Sequence, residues 1–202
     1  MKGYTTTTKI ENYTLTEINI SFKTQIETWI EVIEKYIDGY TGRNFIADTE
    51  ASARLFSGND SQNILIDDCI EITKVERGNN AYGDSFTEIS AGGSGGYYLL
   101  PENYSANGYP IDKIHLRSKY WINGLSNHKI TAKWGFSEEV PSDIEFATTV
   151  LVNGIINENN TTKGDLTSEK IGEYSVVFKD NAEKGDFKRA MEILDKYKRI
   201  FL

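Results

Sequence analysis

Phe22, Ile26, Trp29, Ile30, Ile33, Ile37 and Tyr40 recur three or four residues apart between Ile18 and Phe45. That spacing stacks them on one face of a helix, with Lys23, Glu27, Glu31, Glu34 and Lys35 directed largely elsewhere. Glu31 and Lys35 stand four apart in the favourable order, a small added support. Thr41-Gly42 should end the helix, because glycine accepts the left-handed conformation that closes a last turn. One amphipathic helix cannot bury its own stripe, so the rest of the chain must supply its partners.

Before this helix, residues 1–13 are Thr-rich and polar and predict an arm, either mobile or held by a partner. Thr14-Leu-Thr-Glu17 has the capping-box pattern and could open a short helix or the long one. After Phe45 the period changes. Ala51–Phe56, Asn63–Asp67, Ile70–Arg77, Phe86–Ser90, Tyr97–Leu100, Ile111–Arg117 and Lys129–Trp134 are short runs with β-branched or aromatic residues. Gly- and Asn-rich turns separate them, which predicts a compact antiparallel β unit. Ile70, Ile72 and Val75 break strict alternation, as a bulge would.

The helical period returns at Val140-Pro-Ser-Asp-Ile-Glu145, where Ser142 suits an N-cap and Glu145 completes a capping box. Ile144, Ala147, Leu151 and Ile155 form the next stripe, which a polar loop from Asn157 to Gly164 should end. Ile171–Lys179 predicts a strand or extended arm, and Phe187–Leu202 a last helix with Phe187, Ala190, Ile193, Leu194 and Tyr197 on one face. The expected fold is α+β: a helical bundle from the N- and C-terminal helices, with an antiparallel β-unit inserted between the first and second long helices. Its segments are 1–46 (arm and first helix), 47–137 (β-domain) and 138–202 (second and third helices, with an extended arm at 165–180).

Charge and cysteine usage narrow the function. Thirty acidic against 22 basic residues leave a formal charge of −8, which repels phosphate backbones and disfavours tight wrapping of DNA or RNA. Cys69 is the only cysteine, so neither an internal disulfide nor a thiolate zinc site can form. It sits in an apolar run and is expected to be a small buried hydrophobe. No run of about 18 apolar residues exists to span a membrane, and a cytoplasmic site of synthesis is expected.

Catalytic patterns are sparse. His115 and His128 stand alone in their segments, as structural histidines do. Gly92-Gly-Ser-Gly-Gly96 lacks the Gly-Lys-Ser/Thr of a phosphate loop and precedes a strand. Asp67-Asp68 and Glu138-Glu139 could serve a hydrolase only if two of them faced each other across a cleft, and solvated turns are the plainer role. Asn59-Asp60 and Glu158-Asn159 lack a calcium-loop spacing. No enzyme, cofactor or metal is expected. Tyr97, Tyr98, Tyr104, Tyr109, Tyr120 and Trp121 crowd the second half of the β block; such sets build cores or interfaces and, less often, stack sugars. Lys196, Lys198 and Arg199 before Ile200-Phe201-Leu202 suit core closure and a docking peptide equally well.

Tyr40-Thr-Gly-Arg-Asn-Phe45, Trp134-Gly-Phe136, Val140-Pro-Ser-Asp-Ile144 and Ser168-Glu-Lys-Ile-Gly-Glu-Tyr-Ser-Val176 occur in a familiar order. Together they resemble the head-tail connector (adaptor, or head-completion) proteins of long-tailed bacteriophages and gene-transfer particles. Those proteins share a Tyr-Thr-Gly-Arg helix end, a Trp-Gly-aromatic strand before a Pro-opened helix, a Ser-Glu-x-Ile-Gly-x-Tyr-Ser arm and a final helix. The resemblance implies a homo-oligomeric ring, commonly a dodecamer, under the portal protein of the virion. It would be assembled in the host bacterial cytoplasm, with a tail-side connector or stopper protein below it. DNA would pass through its channel without sequence-specific binding. It further implies a subunit interface at Ser168, Glu169, Ile171, Gly172, Tyr174, Val176 and Phe178, and a portal contact at Arg199, Ile200, Phe201 and Leu202. Tyr40, Thr41, Gly42, Arg43, Trp134 and Gly135 would form the junction between helix and β block. A glycan-binding β-module using the Tyr/Trp cluster is the competing reading.

Overall fold

The structure, a computed structural model, describes residues 2–161 and 185–199. Described residues fall into two compact units. One comprises the described parts of Met1–Arg43 and Val140–Leu202; the other is Asn44–Glu139. Among the described residues, five helices and a six-stranded antiparallel sheet make the class α+β.

In the helical unit, α1 spans Thr7–Thr14, α2 Ile20–Thr41, α4 Ser142–Thr161 and α5 Gly185–Tyr197. Ile26, Ile30, Ile33 and Ile37 of α2 are buried, with Ile144, Ala147, Leu151 and Ile155 of α4 and Ala190 and Leu194 of α5. The packing of α2 with α4 and α5 therefore follows their apolar stripes. Each fully buried isoleucine contributes about 1.5–3 kcal/mol relative to exposure. Gly42 ends α2 as expected, left-handed at φ 69°, its N–H donating to the Asp38 carbonyl at 2.8 Å.

Several expectations at these helices are corrected. Phe22 lies on the first turn of α2, 56% exposed. The N-cap of α2 is Asn19, whose side chain accepts from the Ser21 N–H at 3.0 Å. Thr14 instead closes α1, its hydroxyl donating back to the Ile10 carbonyl, a bond that competes with a capping role. The Glu145 carboxylate takes the Lys9 ammonium, and α4 runs on to Thr161 through the stretch expected as a loop.

Residues 2–14 are a further correction. They pack into the helical unit, with Tyr4, Thr5 and Ile10 fully buried. Lys2, Gly3 and Tyr4 donate their backbone N–H groups to the Glu34 carboxylate at 2.5, 2.7 and 2.9 Å. Asp38 accepts the Tyr4 hydroxyl and the Lys2 ammonium, both at 2.6 Å, and the Thr5 and Thr149 hydroxyls bond at 2.7 Å. Glu34 is only 2% exposed, so its outward placement was wrong: it stands four residues after Ile30 and three before Ile37, within the stripe.

The β unit contains β1 Ser52–Gly58, β2 Asn63–Gly78, β3 Phe86–Glu88, β4 Tyr97–Leu100, β5 Ile111–Leu116 and β6 Gly124–Trp134. The order is β1-β6-β2-β5-β4, with β3 on β2. A short helix, α3 (Tyr104–Asn107), interrupts the strands. The expected runs 63–67 and 70–77 are one 16-residue strand. Asp67-Asp68 is a place where register shifts, not a turn: β2 pairs β5 on its first half and β6 on its second, with further shifts around Glu71 and Ile72. Ile64, Ile66, Cys69, Ile111, Ile114, Leu116, Trp121, Ile130 and Trp134 are buried in the core of this unit.

Asn127 and His128, both fully buried, tie its loops together. Asn127 accepts from the Gly58 N–H at 3.0 Å and donates to the Asn80 and Ile122 carbonyls. His128 Nδ1 accepts from the Gly78 N–H at 3.0 Å, so Nε2 carries the proton and donates to the Ile122 carbonyl at 3.0 Å. Burial holds this imidazole below its ordinary pKa. Protonation would set a second donor against Gly78. The unfolded chain binds a proton near the ordinary value of about 6.5, whereas the folded chain refuses it until lower pH. Stability of the β unit should therefore fall as pH is lowered from neutral through that window, and level off below the folded pKa. Denaturant melts at stepped pH check the slope, and histidine nitrogen NMR should find the Nε2–H tautomer at neutral pH.

Candidate functional site

The helix end Tyr40–Arg43 is a clamp between two helix termini of the helical unit. Thr41 folds its hydroxyl back onto the Ile37 carbonyl at 2.8 Å and accepts the Arg43 N–H at 3.3 Å. With Gly42 left-handed, the chain turns so that Arg43 reaches α5, where its Nε donates to the Tyr197 carbonyl at 2.7 Å. That carbonyl belongs to the last turn of α5, which has no intrahelical donor for it. Two residues further along the chain, the Arg199 N–H donates to the Thr41 carbonyl at 2.8 Å. Each helix thus caps the other.

Side chains reinforce the clamp. The Tyr40 hydroxyl donates to Asp195 at 2.6 Å, Lys198 pairs with Asp195 at 3.0 Å, and its ammonium lies 3.9 Å from the centre of the Tyr40 ring. Tyr36 stacks on Tyr40 with centroids 5.8 Å apart, and Tyr197 donates to Asp143 at 3.0 Å. Hydrogen bonds from Tyr40 and then Lys198 hold Asp195 below its usual range, and Tyr40 and Asp195 together raise Lys198. Burial, then the bond to Asp195, raises the Tyr40 phenol. The arrangement fixes the point from which residues 200–202 depart.

Replacing Arg43 with alanine should cost the helical unit about 1–2 kcal/mol, since one charge-assisted bond to a helix-terminal carbonyl is lost. Arg43→Lys should recover only part of this, because an ammonium cannot reproduce the guanidinium geometry. Urea melts of the three proteins check the order.

Trp134 and Gly135 are in the β unit. Trp134 is buried, its indole N–H donating to the Ser52 carbonyl at 2.8 Å and its ring 4.6 Å from the Arg54 guanidinium. Gly135 has φ 141° and lies against the main chain of Ile46 and Ala47. Its N–H donates to the Asp68 carbonyl at 2.7 Å. The expected interface Ser168, Glu169, Ile171, Gly172, Tyr174, Val176 and Phe178 lies outside the described residues, as do Ile200, Phe201 and Leu202.

The other candidates disperse. Tyr97 and Trp121 are core residues, Tyr104 packs half-buried against that core, and Tyr98, Tyr109 and Tyr120 are exposed. The six rings are divided between interior and surface. Asp67 pairs with Arg54 at 2.8 Å, Asp68 is buried, and Glu138 and Glu139 are exposed. Burial, and then Asp68, pushes the Cys69 thiol up to about 12. Among the described residues no group of three or more His, Cys, Asp and Glu could hold a metal, and no helix is long and apolar enough to cross a membrane.

Compared with solved structures, the fold is similar to a chain in the neck of an empty gene transfer agent particle, computed with C6 symmetry. The TM-score is 0.57 at 12% identity, covering all of this chain and 92% of that one. A chain in the neck of the native particle, computed with C12 symmetry, gives 0.53 at 13%, covering 100% and 93%. A third, from the virion of the native particle, gives 0.51 at 14%, covering 89% and 79%. The chain shares its fold with these particle proteins. No protein-family model and no curated protein matches it.

Proposed function

We propose that this chain is a structural ring subunit at the head–tail junction of a phage-like particle: an adaptor that joins the portal to the tail-side connector around the DNA channel. The observation that carries the reading is the fold likeness over the whole chain to two neck chains from particles computed with C6 and C12 symmetry. A closed cyclic ring is built by repeating one heterologous contact, which needs two different faces on each subunit. The net charge of −8 suits a wall that DNA passes without being held by its phosphates. The clamp at Tyr40–Arg43 suits a subunit that presents its C-terminal residues to a partner, and Arg199–Leu202 is the proposed portal contact. Ser168–Phe178 is the proposed subunit interface.

The test is the mass of the purified protein, alone and after mixing with DNA-filled heads that carry portal but no tail. Cosedimentation as a multi-copy ring supports the adaptor. A chain that never binds heads and stays monomeric at every concentration overturns it.

A further inference from the structure

The sheet of the β unit has three strands whose outer sides could accept another, and two of them are closed or too short. β4 has four residues before Pro101, and its outer side is covered where Ala91 bridges Tyr97 and the Gly92 N–H donates to the Tyr97 carbonyl. β3 has three residues. β1 is different: it has seven residues, and its main chain bonds only to β6 among the described residues. Ala51 to Leu55 are all exposed. Alternate residues of such a strand direct N–H and C=O groups away from the sheet, a template for a further strand. The usual guards are missing on the outer side. Arg54, the one charge in β1, is drawn over Trp134 and onto Asp67, and Leu55 on the opposite face is 53% exposed.

We propose that the outer edge of β1 receives residues 171–178 of a second copy of this chain as an added strand. This rests on the ring reading above, which supplies the second copy. Ile171-Gly-Glu-Tyr-Ser-Val-Val-Phe178 has eight residues against the seven of β1. Tyr174, Val176 and Phe178 share parity and so make one apolar face, which would cover Leu55. Lys170 and Lys179 bracket the segment, while Asp48 and Glu50 stand just before β1. An antiparallel strand brings Lys179 to those acids. Residues 162–184 join α4 to α5, and a point midway along them reaches about 35–40 Å from either helix when extended, enough to meet a neighbour.

The experiment is disulfide trapping on the full chain under ring-forming conditions. Cys69 is buried and its thiol is pushed up to about 12, so it leaves a silent background. Leu55→Cys combined with Tyr174→Cys, Val176→Cys or Phe178→Cys should give a ladder of covalent multimers for at least one pair, and none for the single variants. Leu55→Lys, which puts a charge at an already exposed position, should weaken ring assembly at least tenfold while the melt of the monomer is unchanged. Rings of native mass that trap with no pair, a link formed only within one chain, or assembly unaffected by Leu55→Lys would each overturn the β1 site while leaving the ring reading intact. A wild-type chain that forms no ring at all, even with heads, sinks the ring reading and the strand exchange with it.

Discussion

Glu34→Ala should be the most damaging single change in the helical unit, costing about 3–5 kcal/mol. The carboxylate accepts three successive backbone N–H groups, from Lys2, Gly3 and Tyr4, at a site only 2% exposed. Removing it strands all three donors, and each unsatisfied buried group costs about 1–3 kcal/mol, reduced where water can enter. The burial of Tyr4 and the bonds from Tyr4 and Lys2 to Asp38 depend on the same strap, so they should loosen with it. Glu34→Gln offers a finer measurement. One amide oxygen can keep the Gly3 and Tyr4 bonds, but its NH2 then faces the Lys2 N–H, donor against donor, so about half the loss should remain. Chemical denaturation gives the energies, and hydrogen exchange at Gly3 and Tyr4 locates them. An alanine variant within 1 kcal/mol of the parent would mean that the strap is held by burial of Tyr4 and Ile10 instead.

Gly135→Ala should damage the β unit on a similar scale, about 3–5 kcal/mol, for two reasons that add. At φ 141° an L side chain is strained. A methyl there would also lie 2.4 Å from the Ala47 Cα and 2.6 Å from the Ile46 carbonyl oxygen, both main-chain atoms that no rotamer change can move. The close approach belongs to a crossing in which Ala47 donates to the Ser137 carbonyl, Asp48 to the Trp134 carbonyl and Phe136 to the Asn44 carbonyl, each at 2.8 Å. Thermal melts followed by tryptophan fluorescence, with Trp121 and Trp134 both in the β core, should show the loss. An alanine variant that melts like the parent would refute the steric argument. A control at Gly92, where a Cβ would meet nothing within 4 Å, should be far milder despite its φ of 70°.

Much of the fold was legible because local chemistry and tertiary demand agree. The stripe from Ile26 to Ile37 and the stop at Gly42 were readable, since helical period and left-handed glycine are properties of a few neighbouring residues. Glu34 was misplaced although its position was available: counting from Ile30 and Ile37 sets it on the buried face, and only its charge argued otherwise. A carboxylate there implies donors, and these came from residues 30 or more positions away. Residues 2–14 read as an arm for the same reason. Their polar side chains hide the fact that their backbone is what the carboxylate needs.

In the candidate site, Tyr40–Arg43 could be singled out from sequence, but not its partner. Nothing near Arg43 points to a carbonyl more than 150 residues later, and the reciprocal bond from Arg199 to Thr41 is equally remote. Asn127 had no signal at all, being one asparagine among many turn residues. The joining of 63–67 with 70–77 was hidden because Asp67-Asp68 resembles a turn, whereas neighbours on both sides carry the strand through it.

Period, capping residues and composition were enough to set the class and the alternation of helical and β segments, because each arises from residues within a turn or two of one another. Which helix end Arg43 caps, what satisfies Glu34, and which strand is left with a bare edge depend on groups brought together across most of the chain. Those outcomes were settled by the tertiary structure, since a buried polar group takes whichever partner packing delivers to it.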